Sequence, residues 1–392
     1  MAALPASAAP RDALPLGLYV HLPWCVRKCP YCDFNSHQAK QDLPARDYTD
    51  ALIADLRAEA ALAGARPVST VFFGGGTPSL FPAGEIARIL AVARDSLEFA
   101  EDAEITLEAN PGASDAGRFA GYAAAGVNRL SIGAQSFDAA ILRALGRIHG
   151  PAEIADTFAM ARTAGFGNIN LDLMFGLPRQ DQPGAAADLR AALALAPEHL
   201  SYYNLTLEPG THFASHPPPL PAEEAIWEIQ DHGYGLLDAA GYECYEVSAF
   251  ARPGRRCRHN VNYWRFGDYL GVGAGAHGKL TDPATRRVTR SEKTRSPRLY
   301  MAQAQSGRIG RGERMVAEPD LVFEFMLNAL RLRDGFDFHG FERATGLSAA
   351  VLETPLERAA ERGLIATDAA GRVAPTPLGN RFLNDLQAMF LP

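Results

Sequence analysis

The chain has 392 residues, which is enough for two or three domains with buried cores. Hydrophobic residues make up 47% and charged residues 21% of it, a composition that excludes a disordered or fibrous protein. The net charge of −7 argues against a general nucleic-acid-binding protein. No apolar run reaches the roughly 18 residues of a membrane span, so we expect no integral membrane segment.

The amino-terminal residues 1–16 are rich in Ala and Pro and have no basic segment of the kind that opens a signal peptide. We therefore predict a disordered tail and a cytoplasmic protein. Three of the five cysteines fall within eight residues. In a reducing compartment, such a group binds metal more often than it forms disulfides.

Strands and helices alternate through the first half of the chain. Apolar runs predict strands at 17–22, 68–73, 104–109, 127–133, 168–175 and 199–206. Stretches with helical spacing lie between them, at 48–62, 83–97, 115–125, 151–164 and 184–196. This alternation indicates parallel pairing with right-handed crossovers. We predict an α/β fold with a partial, TIM-like (β/α)6 barrel over 17–216, and a doubly wound sheet is the alternative.

The remaining residues predict two further parts. A proline-rich stretch near 217–221 ends the alternation, and we predict an additional α/β segment and linker over 217–317, of which 283–317 is irregular. Residues 318–392 show a first helix, a second helix over 348–362, a short hairpin and a closing helix from Pro377. This order predicts a winged-helix-like carboxyl-terminal domain, which we expect to pack against the barrel and not to contact DNA.

The cysteine group follows the first predicted strand. Cys25, Cys29 and Cys32 have the spacing Cys-x3-Cys-x2-Cys, and the two other cysteines lie more than 200 residues away. A structural zinc site needs four ligands, so His21 or His37 would have to complete it. A 4Fe–4S cluster held by three cysteines instead leaves one iron open to a substrate or cofactor. The spacing favours the cluster.

Polar residues end each of the later strands. Gly74-Gly75-Gly76-Thr77 follows the second strand, and three glycines let backbone groups approach a ligand closely. Similar polar positions follow or lie within the third to sixth strands, at Glu108, Gln135, Asp172 and Thr206. Ligands bind at the carboxyl ends of parallel strands, so these residues predict one site.

The cysteine spacing after the first strand of a partial barrel resembles the radical S-adenosylmethionine (SAM) superfamily. The flanks Tyr-Val-His-Leu-Pro-Trp-Cys and Cys-Pro-Tyr-Cys-Asp-Phe-Asn-Ser-His resemble the oxygen-independent coproporphyrinogen III oxidase family. The resemblance implies a 4Fe–4S cluster on Cys25, Cys29 and Cys32, with SAM bound at the open iron. It also implies a role for the following residues in binding one or two SAM molecules: Tyr19, Tyr31, Gly75, Gly76, Thr77, Glu108, Gln135, Arg147, Asp172 and Thr206.

In one difference from the oxidase the chain resembles a particular branch of that family. The oxidase has a fourth cysteine two residues after the third, and this chain has Phe34 there. The branch that shares Cys-Asp-Phe and His-Asn-x-x-Tyr-Trp is the HemW-type heme chaperones. This resemblance implies heme binding through His259, transfer of heme to acceptor hemoproteins, and an electron donor such as flavodoxin or ferredoxin.

Enzymatic activity is the alternative that the sequence leaves open. The oxidase would remove carbon dioxide from two propionates of a porphyrinogen and leave vinyl groups. Neutral imidazole is a common axial ligand of heme iron, which supports His259, and Arg255, Arg256 and Arg258 nearby could pair with propionates. His277 is a second histidine candidate.

Overall fold

The computed structural model of the chain describes residues 14–39, 43–112, 116–307 and 309–392. Residues 1–13 of the predicted tail lie outside this part. Leu14 and Leu16 are buried, so the ordered chain begins slightly earlier than we predicted. Among the described residues, no helix is both long and apolar enough to cross a membrane.

The first part of the chain alternates strands with helices, as predicted. Its elements are β1 (Leu16–Leu22), β2 (Trp24–Cys25), β3 (His37–Gln38), α1 (Ala45–Ala60), β4 (Val68–Gly75), α2 (Ala83–Ser96), β5 (Phe99–Ala109), α3 (Ala116–Ala125), β6 (Arg129–Gln135), α4 (Ala139–Ala144), α5 (Pro151–Thr163), β7 (Ile169–Phe175), α6 (Gln182–Ala194), β8 (His199–Asn204) and α7 (His212–Ser215). Strands buried on both faces are nearly continuous apolar runs, which is why the sequence located the six long ones.

The second part adds α8 (Glu223–Ala239), β9 (Glu243–Cys244), β10 (Ala249–Ala251), α9 (Arg258–Trp264), β11 (Asp268–Val272), β12 (His277–Thr281), β13 (Val288–Lys293), α10 (Pro297–Gln305) and β14 (Arg311–Met315). The carboxyl-terminal part contains α11 (Glu318–Ala329), α12 (Phe338–Thr345), α13 (Glu353–Glu361), β15 (Ile365–Thr367), β16 (Val373–Pro375), α14 (Pro377–Arg381) and α15 (Leu383–Ala388). Its helices and the β15–β16 hairpin follow the predicted order.

One open sheet organises the molecule. Its strand order is β14-β13-β12-β11-β1-β4-β5-β6-β7-β8-β10-β9. The run from β11 through β1 to β8 is parallel, and the strands at both edges are antiparallel. The six predicted strands are therefore neighbours in sequence order, which confirms the partial barrel over the doubly wound alternative. The carboxyl ends of six strands consequently meet at one end of the sheet.

The predicted irregular linker over 283–317 is wrong. This stretch forms β13, α10 and β14, which extend the barrel sheet beyond β11 and β12. The stretch is polar, so it lacks the apolar run that predicts a buried strand. One of the core positions of β13 is filled by a charged side chain. Lys293 is 2% exposed, and its ammonium lies 2.6 Å from Asp55 and 2.7 Å from Glu59, both buried on α1. The pairing with α1 lets a lysine occupy an interior strand position.

This ion pair predicts a large effect on stability. Lys293→Ala would leave buried Asp55 without a cation and buried Glu59 with Arg311 alone, and removing one partner of a buried ion pair typically costs about 3–5 kcal/mol of the free energy of unfolding. Arg314→Ala is the matched control, because Arg314 is 60% exposed in its pair with Glu324 and such pairs contribute only about 0–1 kcal/mol. Urea unfolding measures both. Equal effects of the two substitutions would contradict the prediction.

Candidate cluster and SAM site

The cysteines lie on a loop that is closed at its base. β2 and β3 pair in parallel and bring Cys25 next to Gln38, so the chain between them forms an excursion. The amide of Cys32 donates to the carbonyl of Cys29 at 3.2 Å, which turns the loop between these two cysteines. The Asn35 side chain donates to the carbonyls of Ala274 and Arg295 at 2.9 and 3.0 Å. The loop is thus fixed to the chain just after β11 and just after β13.

The three thiols line one cavity. Burial raises the pKa of the Cys25 and Cys32 thiols. Both nitrogens of His21 are engaged, by the Tyr19 hydroxyl at 3.0 Å and the Asn35 carbonyl at 2.9 Å, so His21 is not available to complete a zinc site. Among the described residues, no group of three His, Cys, Asp or Glu side chains could hold a single metal ion. A 4Fe–4S cluster places its cysteine ligands on different irons.

Two glycines in the turn at the end of β4 have no room for a side chain. A Cβ on Gly75, whose φ is 116°, would lie 2.5 Å from the His21 ring, and a Cβ on Gly76 would lie 2.6 Å from the Trp24 carbonyl oxygen. The amide of Gly76 donates to Leu22 at 2.9 Å, and that of Thr77 donates to Trp24 at 2.7 Å. The glycines therefore hold the turn against β1 and β2, directly beside the cysteine loop.

Two carboxyl groups lie deep among the strand ends. Burial, followed by the negative charge of Asp172, raises the pKa of Glu108 to about 8, and the amide of Gly75 donates to Glu108 at 3.2 Å. Burial also raises the pKa of Asp172, which accepts hydrogen bonds from Ser131 at 3.1 Å and Asn170 at 2.8 Å. A pKa of about 8 favours the protonated form of Glu108 at neutral pH.

Arg147 connects three strand ends with the cysteine loop. Its guanidinium donates to the side chain of Asn110 and to the Gly133 carbonyl, each at 2.7 Å. The same group lies 3.6 Å from the Cys29 sulfur. Asn110 in turn donates to the Thr77 hydroxyl at 2.9 Å. One arginine therefore ties the ends of β4, β5 and β6 to a cysteine.

β6 and the end of β8 contribute further residues to the site. The Tyr203 hydroxyl on β8 donates to Gln135 at 2.8 Å, and Gln135 holds a left-handed backbone with φ of 69° at the end of β6. The Thr206 hydroxyl donates to Glu208 at 2.8 Å. Tyr31, in the cysteine loop, packs against Phe213, and the centroids of the two rings are 6.2 Å apart.

These side chains surround one cavity of about 720 Å³, which we call the cluster cavity. Twelve of the fourteen predicted site residues line it: Cys25, Cys29, Tyr31, Cys32, Gly75, Gly76, Thr77, Glu108, Gln135, Arg147, Asp172 and Thr206. Tyr19 lines a neighbouring cavity instead. His259 lines neither cavity.

His259 lies beneath the barrel interior. Helix α9 packs against β1 and β4, and His259 is only 1% exposed. Its Nδ1 lies 2.9 Å from the Thr70 hydroxyl, and its ring stacks on Phe72 at 5.0 Å between centroids. Tyr263, one turn later, contacts the His259 ring at 4.7 Å. The predicted heme ligand is therefore a packed part of the floor of the barrel.

The structure adds residues to the site that the sequence did not indicate. Trp264 on α9 and Arg331 after α11 line the cluster cavity. The Arg331 guanidinium lies 4.3 Å from the centre of the Trp264 ring and donates to Glu246 at 3.1 Å. No local sequence pattern indicates that Arg331 belongs to the site, because only the folded chain brings the carboxyl-terminal part to the cavity.

The arginines proposed for propionates lie elsewhere. Arg258 pairs with Asp102 at 3.0 Å, and Arg256 pairs with Asp334 at 3.3 Å. Arg255, Arg256 and Arg258 line a depression with Asn128 and Asn168, which immediately precede β6 and β7. That end of the barrel is opposite the cluster cavity, so these arginines do not face it.

Comparison with known proteins agrees with this geometry. Residues 19–188 match the model of the radical SAM superfamily, and residues 316–382 match that of the HemN C-terminal domain. The chain is 49% identical over 377 residues to the heme chaperone HemW of Escherichia coli K12, covering 96% of this chain and 98% of the relative. The heme chaperone HemW of Haemophilus influenzae is 46% identical, again over 96% and 98% of the two chains.

The chain belongs to the HemW family. Within the radical SAM superfamily, this family shares its fold with HemN. The structure of the Escherichia coli coproporphyrinogen III oxidase HemN superposes with a TM-score of 0.81 at 26% identity, over 97% of this chain and 90% of that one. Membership of the radical SAM superfamily implies a 4Fe–4S cluster and SAM, which suit the cysteines and polar groups of the cluster cavity.

The raised pKa of Glu108 predicts a dependence of stability on pH. As the pH rises from the ordinary glutamate value toward about 8, the unfolded chain loses this proton while the folded chain keeps it. The wild type is therefore destabilised through this window relative to Glu108→Gln. One pKa unit corresponds to about 1.4 kcal/mol. Between about pH 5 and pH 8, we therefore expect the free energy of unfolding of Glu108→Gln to rise by at least that much relative to the wild type. Urea unfolding at both pH values measures the change. If the difference in the free energy of unfolding between the two proteins does not change with pH, Glu108 is ionised in the folded chain.

Proposed function

We propose that this chain is a heme chaperone: it binds heme and transfers it to acceptor hemoproteins, and it holds a 4Fe–4S cluster and SAM. The observation that carries the proposal is the similarity to heme chaperones over 96% of the chain. The cavities on the inner side of the sheet provide room for ligands. We also propose a cytoplasmic location, where acceptors and a reductant such as flavodoxin or ferredoxin would meet the protein.

The residues of the cluster cavity fit the cluster and SAM. Cys25, Cys29 and Cys32 would hold three irons and leave the fourth open. When bound and reduced, the cluster would supply the electron that cleaves SAM to methionine and a 5′-deoxyadenosyl radical. The turn at Gly75 approaches the same space, and a protonated Glu108 has both a donor and an acceptor for ribose hydroxyls.

The other strand ends would position the ligands. Tyr31, Gly76, Thr77, Gln135, Arg147 and Asp172 are the residues proposed for a second SAM molecule, and Thr206 and Tyr19 for the first. Arg147 already bonds Asn110 and Gly133, so its part would be to orient the wall and bind a carboxylate through its remaining N–H groups. Trp264 and Arg331 would cover the open side and exclude water.

Heme ligation by His259 stays a prediction of the family resemblance. In this structure, the His259 ring is enclosed by Phe72, Tyr19 and Tyr263. Its Nε2 atom is buried and accepts no hydrogen bond from the described residues. Ligation by this atom would require α9 to move away from β1 and β4.

The alternative function is oxidative decarboxylation of coproporphyrinogen III, which the fold shared with HemN favours. Phe34 argues against it. The Phe34 side chain is 61% exposed and lines both cavities at the position of the oxidase's fourth cysteine. A phenyl ring offers no thiol, so the chemistry at this position differs from that of the oxidase.

The cluster assignment predicts a loss of colour. Cys25→Ala, Cys29→Ala or Cys32→Ala should each abolish the brown iron–sulfur chromophore after anaerobic reconstitution, because each cysteine would bind one iron. Cys244→Ala is the control and should keep the chromophore, since Cys244 lies on β9, outside the cluster cavity. Absorption spectra and iron and sulfide analysis measure the result. A colourless wild type that holds stoichiometric zinc would overturn the assignment.

The chaperone proposal predicts binding without decarboxylation. Hemin added to the full chain should give a shifted Soret band. Reconstituted protein incubated anaerobically with SAM, reductant and coproporphyrinogen III should yield no decarboxylated product by chromatography. Formation of harderoporphyrinogen or protoporphyrinogen would instead establish the oxidase alternative.

A further inference from the structure

A second cavity of about 970 Å³ lies beside the cluster cavity. We call it the edge cavity, because β11–β14 at the edge of the sheet, together with the residues between these strands, form most of its wall. Its aromatic lining consists of Tyr19, Phe34, Tyr263 and Tyr269. Phe34, Gly75 and Glu108 line both cavities, so the two adjoin. The volume lies at the upper end of the range of about 300–1,000 Å³ that is usual for ligand sites.

The edge cavity contains one histidine with a free imidazole. His277, at the start of β12, is exposed and lines the cavity, and its ring makes no hydrogen bond to any residue that the structure describes. His21 also lines the cavity, but Tyr19 and Asn35 occupy both of its nitrogens. His259 is enclosed below the floor. Of these three, His277 alone presents a nitrogen to a ligand without a rearrangement.

A carboxylate lies directly across from His277. Glu292 on β13 is its partner in the antiparallel β12–β13 pair, and Glu292 also lines the cavity. Side chains of directly opposite residues project from the same face of a sheet, with Cβ atoms about 4.5–5.5 Å apart. A carboxylate that accepts a proton from one ring nitrogen leaves the other nitrogen directed at a metal. No hydrogen bond joins His277 to Glu292 in this structure, but the two side chains share a face of the sheet, so Glu292 is placed to accept from the imidazole when its other nitrogen binds a metal.

A cation for an acidic ligand is present at the same wall. Arg295 is exposed, lines the edge cavity, and has no carboxylate partner among the described residues. The two other cations there are already paired: Lys293 with Asp55 and Glu59, and Arg311 with Glu59 and Glu313. A planar, apolar ligand with acidic substituents and a metal at its centre matches these groups.

We propose that the edge cavity is the porphyrin site of this chain, with His277 as an axial ligand of the heme iron, Glu292 orienting its imidazole, and Arg295 pairing with a propionate. This inference rests on the proposed heme binding. It assigns His259 a positioning part, in which its ring supports Tyr263 and Tyr19 in the floor against which the porphyrin would pack.

Hemin titration of the full chain tests the proposal, with the Soret band and the dissociation constant as readouts. His277→Ala should weaken hemin binding by about tenfold or more and shift the band, and Glu292→Gln should weaken it by about tenfold, the effect typical of a lost orienting partner. His232→Ala, which removes an exposed histidine on α8, is the control and should match the wild type. His277→Cys should retain hemin with a thiolate-type spectrum, because the new sulfur would replace nitrogen on the iron.

The outcomes separate this inference from the proposed function. If the wild type binds no hemin, both fail. If the wild type binds hemin and His277→Ala and His277→Cys keep its spectrum and affinity, the inference fails and the proposed function stands. A loss confined to His259→Ala would make His259 the ligand. If both alanine variants lose the band, the spectrum of His277→Cys decides, since only direct ligation changes the donor atom.

Discussion

A sheet that curls without closing leaves an interior that side chains must fill, and α9 meets this requirement here. His259 bonds to Thr70, stacks on Phe72 and supports Tyr263, so the helix seals one end of the barrel from within. Its last residues then face the open end: Tyr263 lines the edge cavity and Trp264 lines the cluster cavity. The walls of both cavities therefore depend on the position of α9.

The parallel barrel was predictable because its strands are apolar runs that are buried on both faces. The same principle explains the failure at 283–317. β13 carries Ser291 and Lys293 at buried positions, and Lys293 is stable there only because Asp55 and Glu59 approach from α1, more than 200 residues earlier. No local pattern encodes a partner at that distance.

The cluster cavity was predictable for a topological reason. Residues that follow parallel strands reach the same end of the sheet, so Thr77, Glu108 and Gln135 converge whatever the details of packing. The sequence could not show whether Tyr19 and His259 bind a ligand or are packed in the core. In the structure Phe72 packs against both rings and Tyr263 packs against His259. Arg331 enters the site from the carboxyl-terminal part and carries no signal in its own segment.

Asn35 has a consequence for how the two cavities communicate. It sits in the cysteine loop, yet its side chain donates to the carbonyl of Ala274, three residues before His277, and to that of Arg295, which lines the edge cavity. A ligand that prefers one position of that segment therefore acts on the cysteine loop through two hydrogen bonds. Thermodynamic linkage makes such an influence mutual: any factor by which occupancy of the edge cavity alters SAM affinity is the factor by which SAM alters affinity in the edge cavity. Cargo loading and occupancy of the cofactor site would then be energetically coupled.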